Sequence, residues 1–463
     1  MTQRYDETNV AVVEDRPSAP EVAAVGQRTP ALRNATRWAT KGSLAILDQA
    51  LISGSNFLVS IWLADWLTTE RYGAFALALS ISLLLTFLYQ ALLLEPMAVF
   101  SGGAYRKSLR GYLGALLRIH LWLTGFGLIV LGTATVVAFQ RGAGDGLPGA
   151  LLGVTLASPC ILLFSLARRA YYMNLAPARA AVGALIYCIV VTGGLWIVYH
   201  RGLLSPFAAF ALMAVGALFT SAYLLFHVRT TLVDEIPGPH LRQTWSRHWG
   251  YGRWALATAA ATWIPYYMYY PLLSWWFKDL TQTGQLRALM NLALPLEQSF
   301  TALSCLFLPY AARLHGEEGS AGARKLTRWI TLLYVGGAAL YWLVVIPFKG
   351  PVFHLLYRHH HGNYLEISYL LPYVAAETIL WSAAFGPTIV LRGMESPRSV
   401  FYARCAASVL SLAVGVPLTI KYGLWGCVLG IVMSNAAALL FAAFLLRRKI
   451  GAGTNTLASA EAS

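Results

Sequence analysis

The sequence predicts an all-α polytopic membrane protein with about 12 transmembrane helices, arranged as two six-helix lobes related by a parallel repeat. Of its 463 residues, 57% are hydrophobic and only 12% are charged, whereas water-soluble domains carry about 25% charged residues. The apolar residues form runs of the roughly 20 residues that a helix needs to cross a bilayer, not the alternating segments of a membrane β-barrel. This composition excludes an ordinary cytosolic protein and large extramembrane domains.

Twelve apolar windows follow one another along the chain, separated by short polar segments. Each window is long enough for one membrane-spanning helix. We predict spans at residues 43–66, 74–100, 112–139, 149–166, 182–199, 204–226, 254–277, 288–310, 329–348, 367–390, 403–420 and 424–446.

The basic residues predict the orientation of these spans. A formal net charge of +15 in a membrane chain indicates basic cytoplasmic loops, so we expect no nucleic-acid partner. If the N-terminus is cytoplasmic, the cytoplasmic loops and C-terminus carry 20 Lys and Arg, and the N-terminal tail six, against eight on the other side. We therefore predict a multi-pass protein with both termini in the cytoplasm.

The longest predicted loop lies between the sixth and seventh helices and divides the chain into two lobes. We predict a disordered cytoplasmic tail at 1–41, an N-terminal lobe at 42–227, a cytoplasmic linker at 228–253, a C-terminal lobe at 254–447 and a second cytoplasmic tail at 448–463.

Three short matches between the halves indicate an internal repeat. TTERYG from Thr68 corresponds to DLTQTG from Asp279, with Gly73 opposite Gly284. Further along, Pro177 corresponds to Pro397, and HRGLL at 200–204 corresponds to KYGLW at 421–425. The offsets of 211, 220 and 221 residues keep the same order. Parallel repeats of this kind occur in secondary transporters, which bind substrate between the repeats.

Three segments of the chain resemble a known family. They are LAILDQALISGSNFLVSIWLADWLTTERYGAFALALSISLL (44–84), LLLEPMAVFSG (92–102) and VFHLLYRHHHGNY (352–364). The sequence resembles the polysaccharide-transport family of O-antigen and exopolysaccharide flippases, within the multidrug, oligosaccharidyl-lipid and polysaccharide exporter superfamily. The third segment departs from the family pattern at Arg358, where a glycine is common.

The resemblance implies a bacterial inner-membrane flippase. Such a protein moves an undecaprenyl-pyrophosphate-linked oligosaccharide from the cytoplasmic to the periplasmic leaflet by alternating access. Helices 1, 2, 7 and 8 would line a cavity between the lobes. The implied partners are the lipid-linked oligosaccharide, membrane lipids, a polysaccharide polymerase and chain-length proteins.

A polar stripe on the first helix is a candidate sugar-binding surface. Gln49, Ser53, Asn56 and Ser60 are spaced i, i+4, i+7 and i+11, which places them on one helical face. The alternative is a helix–helix seam held by small and polar residues, which is common in membranes.

Helix 7 carries tyrosines between two prolines. Tyr266, Tyr267 and Tyr270 lie between Pro265 and Pro271, so we predict a sugar-facing surface or a hinge. An interfacial aromatic belt is the alternative interpretation.

Three arginines are candidate ligands of the pyrophosphate, because guanidinium groups bind phosphate. Arg253 and Arg287 lie on helices 7 and 8, which line the cavity in the family, and Arg118 lies within span 3. Snorkelling of Arg118 to the cytoplasmic surface is the alternative.

Four carboxylates are candidates for coupling transport to H⁺ or Na⁺. Glu297 and Glu377 lie near the membrane mid-plane, and Asp48 and Glu95 lie near the cytoplasmic ends of their helices. Arg118 is a plausible partner for Asp48 or Glu95. We expect no cofactor besides the coupling ion.

Other functions fit the sequence less well. The five cysteines have no CxxC spacing, so no metal site is predicted, and the histidine tract 359–361 is interpreted as a solvated loop. No GxxxxGK[ST] loop is present, which argues against direct use of ATP, and the short periplasmic loops argue against an enzyme. A cation-coupled multidrug exporter of the same superfamily remains the alternative function.

Overall fold

The computed structural model describes residues 30–141, 144, 146–173, 176–228, 234–394 and 396–461, and within these every regular element is a helix. The first lobe contains six long helices. They are α1 (Pro30–Trp66), α2 (Thr69–Gly102), α3 (Leu109–Gln140), α4 (Leu147–Met173), α5 (Pro177–His200) and α6 (Pro206–Val228).

The second lobe also contains six long helices, several of them interrupted. They are α7 (Leu241–Tyr267 and Tyr269–Phe277), α8 (Leu280–Asn291 and the first part of Leu294–Val345), α9 (Ala321–Val345), α10 (Leu371–Ala383 and Phe385–Gly393), α11 (Pro397–Leu410 and the first part of Val416–Glu461) and α12 (the rest of Val416–Glu461). Gly319 separates α8 from α9, and Gly423 separates α11 from α12.

The helix pairs of the first lobe recur in the second lobe. In the first lobe, α1 packs on α5, α3 on α4, α4 on α6 and α5 on α6. The equivalent pairs six helices later are α7 with α11, α9 with α10, α10 with α12 and α11 with α12. Six is an even number, so equivalent helices run in the same direction. The two lobes and their parallel repeat are confirmed.

The sequence matches between the halves have the same roles in the backbone. Thr68 caps the N-terminus of α2, where its hydroxyl accepts a hydrogen bond from the backbone N–H of Arg71 (3.3 Å). Asp279 caps α8 in the same way, through the N–H of Thr281 (2.8 Å). Pro177 and Pro397 are the first residues of α5 and α11, the position at which proline costs a helix no hydrogen bond.

The third match coincides with a backbone conformation that favours glycine. Gly202 ends the turn after α5 with φ +67°, and Gly423 lies between α11 and α12 with φ +58°. A side chain is rarely tolerated at such φ values. The two lobes therefore change direction at equivalent glycines.

Helical structure extends beyond the predicted membrane spans. Residues 30–41, expected in the disordered tail, belong to α1, and residues 448–461, expected in the C-terminal tail, belong to α12. Residues 1–29 of the predicted tail lie outside the described residues. Pro30 is suited to the first helical position, and the Ala, Leu and Arg that follow are strong helix formers. Hydropathy cannot detect such polar extensions.

The predicted linker at 228–253 is also partly helical, because α7 begins at Leu241. Thr244 and His248 on this first part of α7 are fully buried against the first lobe. His248 Nε2 lies 2.7 Å from the hydroxyl of Tyr112 on α3, and its Nδ1 lies 3.0 Å from the carbonyl of Leu92 on α2. Packing on the first lobe stabilises this polar helical segment.

Nine helices in the described part of the chain are long and apolar enough to cross a membrane, and the range Arg398–Gly451 contains both α11 and α12. The nine ranges therefore include ten of the twelve long helices. The helices α7 and α8 do not meet this criterion, although the structure places them beside α2 inside the bundle. Their polarity marks them as the helices that line a polar interior.

Candidate functional site

Polar side chains of α1, α2, α7 and α8 converge on Arg287. Its Nε donates to Ser60 Oγ on α1 (3.3 Å), and Ser60 donates to Oδ1 of Asn291, one turn further along α8 (2.9 Å). The Asn291 amide donates to the hydroxyl of Tyr72 on α2 (2.8 Å), which lies 3.0 Å from Ser60 Oγ. From α7, Tyr270 interacts electrostatically with the guanidinium. We call Arg287 and these four partners the Arg287 cluster.

The guanidinium of Arg287 hydrogen-bonds to the hydroxyl of Ser60 and lies near the tyrosines of α2 and α7. Arginine stays protonated in proteins, so the Arg287 cluster carries a permanent positive charge between the lobes. Arg287 is half-buried, whereas Asn291 and Tyr72 are fully buried. The hydrogen bond to Ser60 thus positions the guanidinium, while the Arg287 side chain stays partly exposed.

A second polar cluster lies in the second lobe around Glu377, which is only 2% exposed. One carboxylate oxygen accepts from the side-chain amide of Asn435 on α12 (2.9 Å), and the other accepts from the hydroxyl of Thr378 (3.0 Å). The Asn435 oxygen in turn accepts a hydrogen bond from Tyr266 on α7. We call these four residues the Glu377 cluster.

Glu297 connects the two clusters electrostatically. Its carboxylate is attracted by Arg287 and repelled by Glu377. At the far side of the Glu377 cluster, Arg404 of α11 interacts with the Tyr266 hydroxyl. The helices α7, α8, α10, α11 and α12 therefore contribute charged and polar groups that interact electrostatically between Arg287 and Arg404.

The predicted polar stripe of α1 faces the second lobe. Gln49 Nε2 donates to Ser53 Oγ (3.2 Å), and Ser53 donates to Oε1 of Gln298 on α8 (3.0 Å). Ser60 joins the Arg287 cluster, while Gln49 and Asn56 are exposed. The structure therefore brings this stripe to the α1–α8 junction between the lobes.

The predicted tyrosines of α7 lie where the helix is interrupted. The break falls at Met268, between Tyr267 and Tyr269. Tyr267 and Tyr270 interact with Arg287, whereas Tyr266 belongs to the Glu377 cluster. All three therefore face polar groups of the interior, as opposed to an interfacial belt.

Arg118 and Asp48 do not form the predicted pair. Arg118 is exposed on the surface of α3, whereas Asp48 is 1% exposed and binds Arg168 of α4. Arg168 donates from Nη2 (2.6 Å) and Nε (3.1 Å), and Tyr172 donates to the same carboxylate (2.6 Å). Helical periodicity gives the depth of a residue but not its neighbours on other helices. Asp48 thus stabilises the first lobe, away from the Arg287 cluster.

Two further candidates lie at the predicted cytoplasmic side. Arg253 is exposed, with its guanidinium 5.8 Å from the ring centre of Trp254, and does not join the Arg287 cluster. Glu95 is half-buried and is attracted by Arg169 of the first lobe and Arg392 of the second. Arg118 is therefore not its partner either.

The predicted periplasmic side is closed by contacts between the lobes. A Cβ atom on Gly73 of α2 would lie 1.8 Å from the carbonyl oxygen of Leu280, and one on Gly284 of α8 would lie 2.3 Å from that of Thr69. The backbones of α2 and α8 therefore touch at this crossing.

The histidine tract is solvent-exposed at His359, as predicted for a solvated loop, and it also contributes to this closure. His359 donates from its backbone N–H to Asp65 Oδ1 on α1 (2.9 Å), and its Nδ1 lies 3.1 Å from Oδ2. Tyr364 from the same connection donates to the carbonyl of Ala64 (3.2 Å). Burial lowers the pKa of the neighbouring His360. The connection between α9 and α10 thus fastens the second lobe to the first.

Sequence reasoning missed several members of these clusters. Tyr72, Asn291 and Asn435 are neutral polar residues within spans, and such residues most often form ordinary helix seams. Asp65 lies at the end of a span, where a carboxylate is unremarkable. A signal was nevertheless present, because Asn291 follows Arg287 by one helical turn.

No family model matches the sequence, and no curated relative does. Solved structures do match. An inward-facing multidrug resistance MATE family transporter of the MOP superfamily has a TM-score of 0.76 at 13% identity, covering 89% of this chain and 99% of that chain. The chain has the fold of the MOP superfamily transporters.

Other structures with this fold differ in conformation and in cargo. An outward-facing MATE transporter has a lower TM-score of 0.62 at 14% identity, covering 89% of this chain and 95% of that chain. The lipid II flippase MurJ in an inward closed conformation has a TM-score of 0.68 at 12% identity, with 88% and 87% covered. The fold is therefore shared by drug transporters and a flippase.

Proposed function

We propose that this chain is a flippase for an undecaprenyl-pyrophosphate-linked oligosaccharide, which it moves from the cytoplasmic to the periplasmic leaflet of a bacterial inner membrane. The observation that carries this proposal is Arg287, a permanent cation that hydrogen-bonds to Ser60 and interacts with Tyr270 at the junction of α1, α2, α7 and α8. A pyrophosphate that crosses the hydrocarbon needs such a partner, and the guanidinium geometry matches phosphate oxygens.

The surroundings of Arg287 suit a sugar head group. Ser53 and Gln298 offer a hydroxyl and an amide at the α1–α8 junction, and the half-buried ring of Tyr267 lies beside the guanidinium. Sugars bind through hydroxyl and amide hydrogen bonds and through aromatic faces. Exposed Gln49 and Asn56 extend this polar surface along α1, which gives the head group a route between α1 and α8 while its lipid tail stays in the bilayer.

Glu297 and Glu377 are the proposed coupling carboxylates. In the absence of substrate, Arg287 attracts Glu297. A bound pyrophosphate competes for the same guanidinium, so it weakens the stabilisation of the Glu297 anion and favours uptake of H⁺ or Na⁺. Glu377, which repels Glu297, is the second carboxylate that can share this ion. Substrate and coupling ion are thereby linked through one arginine.

The interruption of α7 supplies a hinge for alternating access. Before the break, Trp263 donates to the carbonyl of Ser80 in the first lobe (3.0 Å). After it, the Tyr269 hydroxyl lies 2.8 Å from Ser411 Oγ in the second lobe. The part of α7 before the break contacts both lobes, since Tyr266 also hydrogen-bonds to Asn435 of α12. We propose that a rocking motion of the lobes bends α7 at Met268.

Genetic complementation tests the flippase proposal. Deletion of the gene in its host is expected to remove a surface polysaccharide, and the wild-type chain to restore it. Arg287→Ala should reduce this restoration by about 10- to 100-fold, the effect of losing a charged hydrogen bond, whereas Arg118→Ala, an exposed arginine outside the cluster, should restore it fully. Unchanged polysaccharide in the deletion strain would refute the proposal.

A multidrug exporter is the second candidate, favoured by the carboxylates Glu297 and Glu377 and by the MATE-like fold. In that case deletion leaves polysaccharide intact and increases sensitivity to cationic drugs.

Under the flippase proposal, a polysaccharide polymerase and chain-length proteins act on the translocated unit and are the expected partners. We propose no enzymatic activity.

A further inference from the structure

One side of α9 at its predicted cytoplasmic end faces out of the bundle. The opposite side packs inward: Ile330 is fully buried, and a Cβ atom on Gly386 of α10 would lie 2.7 Å from the Thr327 carbonyl and 2.1 Å from the Thr331 hydroxyl. The outward side carries three exposed basic residues within two turns, Arg324, Lys325 and Arg328. This surface is distant in the fold from the Arg287 cluster and does not depend on the proposed function.

A groove of about 400 Å³ runs along this outward side. Residues four apart form ridges on a helix, and here two adjacent ridges border the groove. The groove is lined by Ala321, Arg324, Lys325, Arg328, Trp329 and Leu332.

Charge changes to hydrophobicity along the groove. The basic residues come first. Trp329 directly follows Arg328, and Leu332 lies about 6 Å deeper along the helix than Arg328; these two apolar residues are 53% and 72% exposed. None of the ion pairs found among the described residues involves Arg324, Lys325 or Arg328. A cationic end at the predicted cytoplasmic membrane surface therefore continues into an apolar groove within the hydrocarbon.

We propose that this groove binds one anionic phospholipid of the cytoplasmic leaflet. Its phosphate would be bound by Arg324, Lys325 and Arg328, and an acyl chain would lie against Trp329 and Leu332. This order of charges and apolar groups matches a phospholipid, since free phosphate has no chain and a neutral lipid has no net charge. Tryptophan at the interface marks the depth at which head group and chain meet.

Native mass spectrometry of the full-length protein in detergent tests this site. Phosphatidylglycerol should bind in preference to phosphatidylcholine of the same chain length. The triple variant Arg324→Ala, Lys325→Ala, Arg328→Ala should weaken phosphatidylglycerol binding by about fivefold per cation. The matched control is Arg447→Ala, Arg448→Ala, Lys449→Ala, three exposed cations near the predicted cytoplasmic end of α12. Equal losses in both variants, or no preference for phosphatidylglycerol, would overturn the proposal.

The apolar part of the groove is tested separately. Trp329→Ala should reduce phosphatidylglycerol binding severalfold, whereas Leu343→Ala, which removes another exposed apolar side chain of α9, should leave it unchanged. Inorganic phosphate should compete only weakly. If phosphate displaces the lipid at similar concentrations, or if Trp329→Ala has no effect, the surface binds an anion and not a phospholipid.

Discussion

Gly73 and Gly284, which occupy equivalent positions in the two halves, pack against each other where α2 and α8 cross. The backbone nitrogen of each glycine lies 3.0 Å from the Cβ position of the other. A contact between equivalent residues lies on the axis that relates the two halves. The predicted periplasmic closure is therefore centred on the pseudo-symmetry of the molecule.

Gly73→Ala should weaken the predicted periplasmic closure. The new methyl group would meet the Leu280 carbonyl at 1.8 Å, so α2 and α8 must separate at a cost of about 1–3 kcal/mol. In an otherwise cysteine-free chain, Thr283→Cys beside the crossing should then react faster with an impermeant maleimide added from outside the cell. Gly125→Ala, which meets no atom within 4 Å, is the control. Equal labelling of the two variants would contradict this role of the crossing.

The Asp65–His359 contact should contribute to the same closure. Asp65→Ala removes the acceptor for both the backbone N–H and the imidazole of His359, while His359→Ala removes the imidazole alone. A double-mutant cycle read by the same maleimide reaction should give a coupling of about 1 kcal/mol. A coupling of zero would mean that the imidazole contact contributes nothing to the closure.

Asp48→Ala should destabilise the first lobe strongly. The substitution leaves Arg168, whose side chain is 17% exposed, without its carboxylate, and such a loss costs about 3–5 kcal/mol. Lys107→Ala breaks the exposed pair with Glu235 and should cost less than about 1 kcal/mol. Denaturation of the purified variants in detergent measures both. Similar stability of the two variants would show that the Asp48 pair is not structurally important.

Glu377→Gln and Glu377→Ala should separate coupling from packing. The glutamine oxygen can still accept from Asn435, so folding should be retained while ion-coupled transport falls at least about tenfold. The alanine leaves the Asn435 amide without this acceptor in a buried site, at a further cost of about 1–3 kcal/mol in stability. Transport by reconstituted protein under an imposed ion gradient is the measurement. Full transport by the glutamine variant would exclude Glu377 from coupling.

Hydropathy predicted most of the fold, because a membrane span needs a long apolar run whatever its neighbours are. The apolar windows also located α7 and α8, although neither helix meets the length and hydropathy criterion that the other ten satisfy. Hydropathy failed at the ends of helices outside the bilayer, as at Leu241, where burial of Thr244 and His248 against the first lobe replaces hydrophobicity as the stabilising factor. Such burial depends on the tertiary structure and leaves little trace in a hydropathy window.

The candidate site was predicted in part. Ser60, Tyr270 and Arg287 converge as expected, since polar residues in a membrane bundle tend to meet one another. Asp48 and Arg118 were misassigned to each other because both are charged and lie at comparable depth, whereas the direction of a side chain around its helix decides its partner. Depth follows from sequence position alone, but rotation depends on the packing of all neighbouring helices.

The backbone equivalences between the halves bear on how the two halves are joined. Thr68 and Asp279 differ in identity yet both offer an oxygen to cap a helix, while Gly202 and Gly423 remain glycine because their φ values are positive. The two halves thus differ by side chains of similar chemistry and share residues with a special backbone geometry. A half with six helices has both ends on the same membrane face, so a single connecting loop is enough to join the two halves in parallel orientation.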